Sequence, residues 1–567
     1  MSLENIVDDV IETDILVIGG GVGGPFAALF ASEQGARVVL LEKADVRRSG
    51  ATFVGIGDHH QLLPSDIPLA DVAEDIRMGG GKFIAIRDIT PVTRGLIDEN
   101  LVYFGYKDNW EVVRAFEKWG LNMKWDDGQY NFSPYYGIFP DNLRYHGRDI
   151  KRVIAEALKR SPVTVLERTI AVDLLTKEGV IAGATALNIR TGQFILCKAK
   201  AIVLATGVML RIFNPHYMVS PGKFKMLYQY HAGSGDGMAM ALRAGAELVN
   251  MEVSGVGMFV EDARLADALP LGETRAINVY DARGEKIEEE PFSVDTQLSV
   301  EGAGRGPCFA DVTPFPEEWH KALEGHIEDS LPILAKFAKE RGLDTRKGKF
   351  EVTDYRPQFN SIMAGVAMGE NGQTSLKGLY AVGDMTGGST FTGVANAGVF
   401  GIRAGKDAAD NISKMSQAAV DENQVAASRE MVFAPKGKKG GVEPLEVEVK
   451  IRHIVERYCG PQRSEGSIDQ GLWRLRAVRD KFLPELMVRD NHELMSAQEV
   501  RNLLLLAEVY MLCARQRKEG GLRTWRLDYP DKANDPWHEA SICRLQEGEI
   551  RITRRRMPQL RGEFRSK

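Results

Sequence analysis

Residues 14–24 read DILVIGGGVGG, and eighteen residues after the last of these glycines Glu42 closes a second apolar run, RVVLLE. No other feature constrains the fold as much. An apolar strand, a glycine turn, a helix start and an acid ending a second strand make Gly19-x-Gly21-x-x-Gly24 a dinucleotide fingerprint in its full context. Gly19 permits the tight turn, Gly21 lets the backbone approach a pyrophosphate, and Gly24 lets the helix pack closely on the strand. The helix N-terminus then offers unpaired N–H groups and a partial positive charge to the phosphates. Glu42 suits a ribose 2′-hydroxyl and repels a 2′-phosphate, which disfavours NADP.

Two further segments choose the dinucleotide. Residues 375–385, SLKGLYAVGDM, form an apolar strand ending in Gly383 and Asp384. There the Asp384 carboxylate is placed to accept a hydrogen bond from a ribityl hydroxyl. A helix is expected to begin at Ala397, Gly398 and Val399, with its N-terminus stabilising negative charge on a flavin ring. Residues 199–207, AKAIVLATG, give another buried strand ending in Ala205, Thr206 and Gly207. In this order the pieces resemble FAD-binding proteins of the two-dinucleotide-binding-domain type, and the resemblance implies FAD. The expected fold class is α/β: a Rossmann-like FAD-binding domain with an inserted α+β capping domain and a C-terminal helical domain.

A chain of 567 residues exceeds one ordinary core. The pattern divides it into an FAD-binding domain over 1–246 and 353–412, a capping domain over 247–352, a polar linker over 413–446, and a C-terminal helical domain with a tail over 447–567. VTVLERTIAVDLL, GVIAGATALN and GQFILCKAKAIVLATG read as an antiparallel meander. Trp110, Val113, Phe116 and Trp119 mark a helix over 108–119 with a core-facing stripe.

A net charge of −6 and a pI near 6 argue against nucleic-acid binding. The basic run from Arg551 to Arg565 reads as a solvated tail or a partner contact. The acidic start, MSLENIVDDVIETD, is not expected to be a signal peptide. No run of apolar residues is long enough for a membrane span. Cys197, Cys308, Cys459, Cys513 and Cys543 are scattered and include no CxxC, so the chain lacks a cysteine set for its own iron–sulfur cluster. The sparse count suits a cytoplasmic location.

Four segments resemble the succinate dehydrogenase/fumarate reductase flavoprotein family, and within it the α subunit of adenylylsulfate reductase. They are the loop LEKADVRRSGATFVG, the element GRGPCFADVT, the strand KGLYAVGDMTGGS and the segment RKEGGLRTWRLDYPDKANDPW. The resemblance implies a flavin bordered by Ser49, Gly50, Ala51 and Thr52, with Asp236 of the GDG turn near the cofactor. It also implies an iron–sulfur, ferredoxin-like partner subunit. Members that bind flavin covalently carry a histidine before the small-residue loop. Here the stretch is Arg47-Arg48-Ser49-Gly50, so FAD is expected to be non-covalent. The substrate histidines of fumarate reductases have no counterpart at 254–259 or 358–360, nor does their clamping arginine in TGVANAGVFG.

Arg305 is the first catalytic candidate, for neutralising an anionic substrate or passing a proton. As a mere turn residue it would pair with Glu301. His60 and the adjacent His59 are candidate acid–base groups, with His231 and Arg356 behind them. The expected activity is exchange of a hydride or electron pair between flavin and a small anionic substrate. A self-sufficient dehydrogenase or reductase of an organic acid or thioester, and a non-catalytic electron carrier, remain alternatives.

Overall fold

A computed structural model of the chain describes residues 3–54, 58–59, 62–79, 82, 95–132, 142–213, 216–220, 223–226, 232–253, 255–260, 278–288, 294–317, 346–358, 363–389, 393–460, 463–520, 526–529 and 538–566, with scattered positions between 320 and 344. The run ILVI fills the second half of β1 (Asp9–Ile18) and is buried throughout, as a strand covered on both faces must be. After α1 (Gly23–Glu33), β2 (Val38–Glu42) returns parallel to β1, in register from Ile15↔Val38 to Ile18↔Leu41.

The helices α2 (Glu99–Trp119) and α3 (Ile150–Lys159) follow. The helix expected over 108–119 starts earlier, where Asp98 caps it by accepting from the Asn100 N–H. Its first two turns are buried all round, so no amphipathic period marks them. The run VTVLERTIAVDLL is two strands. β3 (Thr164–Glu167) extends the parallel sheet beside β2, and β4 (Thr169–Lys177) opens the meander with β5 (Val180–Asn188) and β6 (Phe194–Leu204). The break is Arg168, whose φ of 55° interrupts the extended backbone.

β6 also pairs in parallel with β1. After the helix α4 (Asp236–Arg243), β7 (Leu379–Ala381) adds in parallel to the C-terminal end of β6, from Leu379↔Ile202 to Ala381↔Leu204. The turns that follow β1, β6 and β7 therefore share one edge of the sheet. That edge, beyond the carboxyl ends of parallel strands, is where ligands bind in such sheets.

The helix α5 (Gly393–Ile412) begins four residues before the expected start at Ala397, with buried Val394 and Ala395 in its first turn. A Cβ at Gly401 or Gly405 would strike the backbone of Gly23 or Ala27, so glycines let α5 lie directly on α1.

The cap contains a four-stranded antiparallel sheet in the order Gly255–Val260, Lys349–Gln358, Cys308–Asp311, Asn278–Tyr280. Its strand Lys349–Gln358 runs past the expected boundary at 352. The segment 413–446 holds α6 (Glu422–Phe433), pinned where Ser428 Oγ meets Thr185 Oγ1 at 2.6 Å. Three helices follow: α7 (Pro444–Cys459), α8 (Glu465–Ala477) and α9 (Asn491–Gln516).

The basic run begins inside a β-hairpin, and a short helical turn, Gly562–Ser566, follows it. Ala540–Gln546 pairs with Glu549–Arg555 and with Leu248–Val249, completing a five-stranded sheet with Gly365–Ala367 and Thr386–Gly387. Arg544 and Arg555 reach Glu247 at 2.7 and 3.1 Å, so part of the basic run docks the hairpin. Among the described residues no helix is long and apolar enough to cross a membrane.

Candidate active site

The fingerprint glycines divide by what surrounds them. A Cβ at Gly19, where φ is 113°, would strike the Ala205 carbonyl, and one at Gly24 would strike the Gly19 carbonyl. These two glycines serve packing. At Gly21 the nearest atom to a Cβ is Gly50 Cα at 4.0 Å, and at Gly207 nothing lies within 4 Å. These two open onto space along the shared sheet edge. Gly50, with φ 76°, backs onto Gly21 so closely that a Cβ there would sit 2.8 Å from Gly21 Cα. The loop of Ser49, Gly50, Ala51 and Thr52 is thus laid backbone to backbone against the fingerprint turn.

Polar groups hold that turn. Glu42 is buried; its Oε2 accepts from the Gly20 N–H at 2.6 Å and its Oε1 from the Ala44 N–H at 2.7 Å. Each oxygen keeps a second lone pair for a ribose hydroxyl. Ser49 Oγ donates to the Gly20 carbonyl at 3.1 Å. Lys151, which no sequence motif singles out, donates from Nζ to the Gly20 carbonyl at 2.6 Å and the Gly21 carbonyl at 3.2 Å. Burial pulls its ammonium down to about 8, partly offset by Glu42 and Asp45. The one signal for it was a lysine on the buried face of α3, between Ile150 and Val153.

The other two turns complete the edge. Thr206 Oγ1 accepts from the Gly237 N–H at 3.0 Å, and the Thr206 N–H meets Met385 Sδ at 3.4 Å. Gly383 turns the chain with φ 72°, and half-buried Asp384 follows it. A Cβ on Gly23 would lie 3.4 Å from the Gly383 nitrogen, so the turns after β1 and β7 touch. Ala397 and Val399 are buried in α5, while Gly398 faces α2, where a Cβ would lie 2.6 Å from Val112. Gly398 therefore serves helix packing.

Asp236 is the first residue of α4. It is held by Lys43 at 3.0 Å, Ser234 Oγ at 2.7 Å and Asn502 Nδ2 at 2.8 Å. Burial works to raise its carboxyl, yet Lys43 and these hydrogen bonds keep it below the ordinary range. Lys43 also bridges Glu499 at 2.8 Å, Glu499 pairs with Arg211 at 2.6 Å, and Arg211 pairs with Glu448 at 2.6 Å. The bonds of Asp236 thus run into an ion network that ties the end of β2 to α7 and α9.

Of the catalytic candidates, His60 and His231 lie outside the described residues, and so does the side chain of Arg356. His59 is fully buried in the short strand Asp58–His59, paired with Leu143–Arg144. Its Nε2 is hydrogen-bonded to Asn109 Oδ1 of α2, and Nδ1 has no partner among the described residues. Burial pulls the imidazole down to about 4, against the Asn109 hydrogen bond. It is neutral at pH 7, with Nε2–H donating to Asn109 and the Nδ1 lone pair open.

Arg305 does not pair with Glu301. Its Nε donates to Asp281 at 2.6 Å and its Nη2 to Glu285 at 3.0 Å, which ties the turn before Cys308–Asp311 to the 281–285 turn. The structure thus brings the fingerprint, the 49–52 loop and the turns at 205–207 and 383–384 together. Arg305 belongs to the cap sheet.

Several buried polar atoms have no partner among the described residues: Thr52 Oγ1, His59 Nδ1, Ser389 Oγ and both side-chain atoms of Asn142, next to the strand that pairs with His59. A buried polar atom left so costs about 1–3 kcal/mol. Thr52, beside an open glycine cradle, fits a polar cofactor lying against the backbone. The residues present suit FAD: the fingerprint turn for its pyrophosphate, Glu42 for ribose and Asp384 for the ribityl chain.

Comparison with known proteins agrees. Residues 14–259 match the FAD binding domain family, and residues 448–561 match the fumarate reductase flavoprotein C-terminal family. One subunit of the fumarate reductase (CoM/CoB) of Methanothermobacter marburgensis is 27% identical over 561 residues, covering 92% of this chain and 95% of that protein. L-aspartate oxidase of Vibrio cholerae is 24% identical, covering 92% and 96%. The fold is that of adenylylsulfate reductase from Archaeoglobus fulgidus, with a TM-score of 0.82 at 22% identity over 98% of this chain and 97% of that one. The chain belongs to the succinate dehydrogenase/fumarate reductase flavoprotein family of FAD-dependent oxidoreductases.

Proposed function

We propose that this chain is the flavoprotein catalytic subunit of a two-component cytoplasmic oxidoreductase. It exchanges an electron pair with a small anionic substrate and passes electrons to or from a separate iron–sulfur, ferredoxin-like protein. The observation that carries the reading is His59, a buried neutral imidazole whose Nδ1 has no partner among the described residues, in a family of redox enzymes. Bound without a covalent link, FAD supplies the hydride chemistry. The protein's own groups supply the rest. Asn109 fixes the imidazole tautomer, so that Nδ1 accepts a proton from substrate or, once charged, returns it. Arg305 leaves Nη1 for an anionic substrate once Asp281 and Glu285 have taken Nε and Nη2. The cap excludes water when it closes.

The partner is supported by the absence of CxxC from the sequence and by the relative from Methanothermobacter marburgensis, itself named as one subunit of its enzyme. Native purification tests it: a cysteine-rich, iron-containing chain is expected to co-purify and to exchange electrons with the flavin. L-aspartate oxidase, a relative whose name carries no subunit designation, favours a second reading, a self-sufficient enzyme. Steady substrate turnover by the isolated chain with an artificial acceptor, unchanged by any co-purifying protein, would establish that reading instead.

A further inference from the structure

Away from the flavin site, a cavity of about 250 Å³ lies among the C-terminal helices. Its lining includes Ala434 and Pro435 after α6, Leu483, Pro484 and Leu486 before α9, and the cations Lys438, Arg479 and Arg501. Two of these cations are already engaged. Arg479 pairs with Asp480 at 3.0 Å and approaches Glu508 at 3.6 Å, and Lys438 donates to the Pro484 carbonyl. Arg501, on α9, is different. It is partly buried, and among the described residues it has neither an ion-pair nor a hydrogen-bond partner. Burial holds its guanidinium below its usual pKa, with no carboxylate among the described residues to offset the effect.

A desolvated cation without a counter-charge is costly, and natural interiors pair such groups. Residues Val478–Phe482, which carry Arg479, form a π-helical turn, a local irregularity that recurs at functional sites.

We propose that this cavity is a binding site for a small oxyanion, a carboxylate or phosphomonoester with a short carbon skeleton, held by Arg501. The planar fork of an arginine matches either oxyanion with two parallel hydrogen bonds. Lys438 and Arg479 add long-range attraction, and the leucines and prolines cover the carbon part. The volume falls below the roughly 300–1,000 Å³ of drug-sized sites, so the occupant is small. The site lies on different elements from the fingerprint turn and His59, so the inference stands independently of the proposed reaction.

The test is calorimetric titration of the flavin-loaded protein with inorganic phosphate and, separately, with butyrate, at constant ionic strength set by chloride. Saturable binding of at least one is expected. Arg501→Gln is expected to weaken it by about tenfold or more, which is roughly 1.4 kcal/mol, and Arg501→Lys by less. Phosphate binding alone assigns a phosphomonoester, and butyrate binding alone a carboxylate. Ala434→Leu, which fills the cavity without touching a charge, is expected to block binding while flavin content stays normal, and it keeps the test sound if Arg501→Gln folds poorly. No saturable binding by either anion, or equal binding in wild type and the folded variants, overturns the proposal.

Discussion

The Lys151 ammonium lies 2.6 Å from the carbonyl oxygen of Gly20, which stands between the first two glycines of the fingerprint. A cation bonded to the carbonyls of the turn adds charge of the sign that a pyrophosphate favours.

FAD affinity should therefore depend on pH. In the free site burial sets Lys151 at about 8. A bound pyrophosphate stabilises the ammonium and raises that value, so binding takes up a proton. Affinity is then highest below pH 8 and falls as pH rises above it. Glu42 and Asp45 are the anionic groups that bear on Lys151, and the turn Ala51–Val54 packed against α3 brings no charge. Flavin titration of deflavinated protein across this range is the measurement. Lys151→Met should bind about tenfold more weakly, or roughly 1.4 kcal/mol, and show no slope. Lys151→Arg, charged throughout, should bind well and also show none. A slope that survives in Lys151→Met rules out this coupling.

Two glycine substitutions should fail differently. Gly21→Val points into open space and should leave a folded protein without flavin, because the side chain fills the pyrophosphate's place. Gly24→Ala meets the Gly19 carbonyl and should destabilise the fold itself. Circular dichroism and flavin absorbance separate the two outcomes, and normal flavin content in Gly21→Val would falsify the placement of the pyrophosphate.

Acid precipitation should release yellow flavin to the supernatant. No histidine lies in Arg47–Gly50, and the nearby described histidine, His59, is engaged with Asn109. Colour retained in the pellet would show a covalent link.

His59→Phe should keep its flavin but lose turnover with the true substrate by a factor of about 10²–10⁴, the usual worth of a positioned acid–base group. Unchanged turnover would remove His59 from the chemistry.

Arg517 and Glu252 form a fully buried ion pair, with Ser541 Oγ donating to Glu252 at 2.8 Å. Burial works to raise the Glu252 carboxyl, but Arg517 holds it below the ordinary range. The stability it contributes is present at neutral pH and is lost as pH falls through the depressed value. Arg517→Met should cost about 3–5 kcal/mol in urea unfolding, because it strands a buried carboxylate. The double variant Arg517→Met/Glu252→Gln should cost less than the sum of the single variants. A loss under about 1 kcal/mol in Arg517→Met would mean that the pair does not hold the C-terminal hairpin in place.

The strands β1, β6 and β7 were legible because they are apolar runs that lead into glycine turns, and Gly19, Gly21, Gly24 and Glu42 sit at fixed spacing along one local stretch, whereas β3, short and half exposed, reads as part of the meander. What escaped was non-local. Lys151 lies more than a hundred residues from the turn it holds, and in sequence it is one lysine in an amphipathic helix. Lys43, just after β2, and Asn502 of α9 converge on Asp236 from far along the chain. Arg305 reads as a catalytic candidate, and its ion pairs with Asp281 and Glu285 form only when the 281–285 turn folds over to meet it.

The order of residues by itself determined the dinucleotide turn, the parallel strands around it and the family, since each rests on local backbone geometry and short-range spacing. Only the tertiary structure decided that Gly398, Gly401 and Gly405 let α5 touch its neighbouring helices. It alone placed Arg551–Arg555 in a docked hairpin, and left Arg501 beside a cavity without a counter-ion among the described residues. The reason is physical: exposure, desolvation and the pairing of charges depend on chain segments hundreds of residues apart, and no window along the sequence contains both partners.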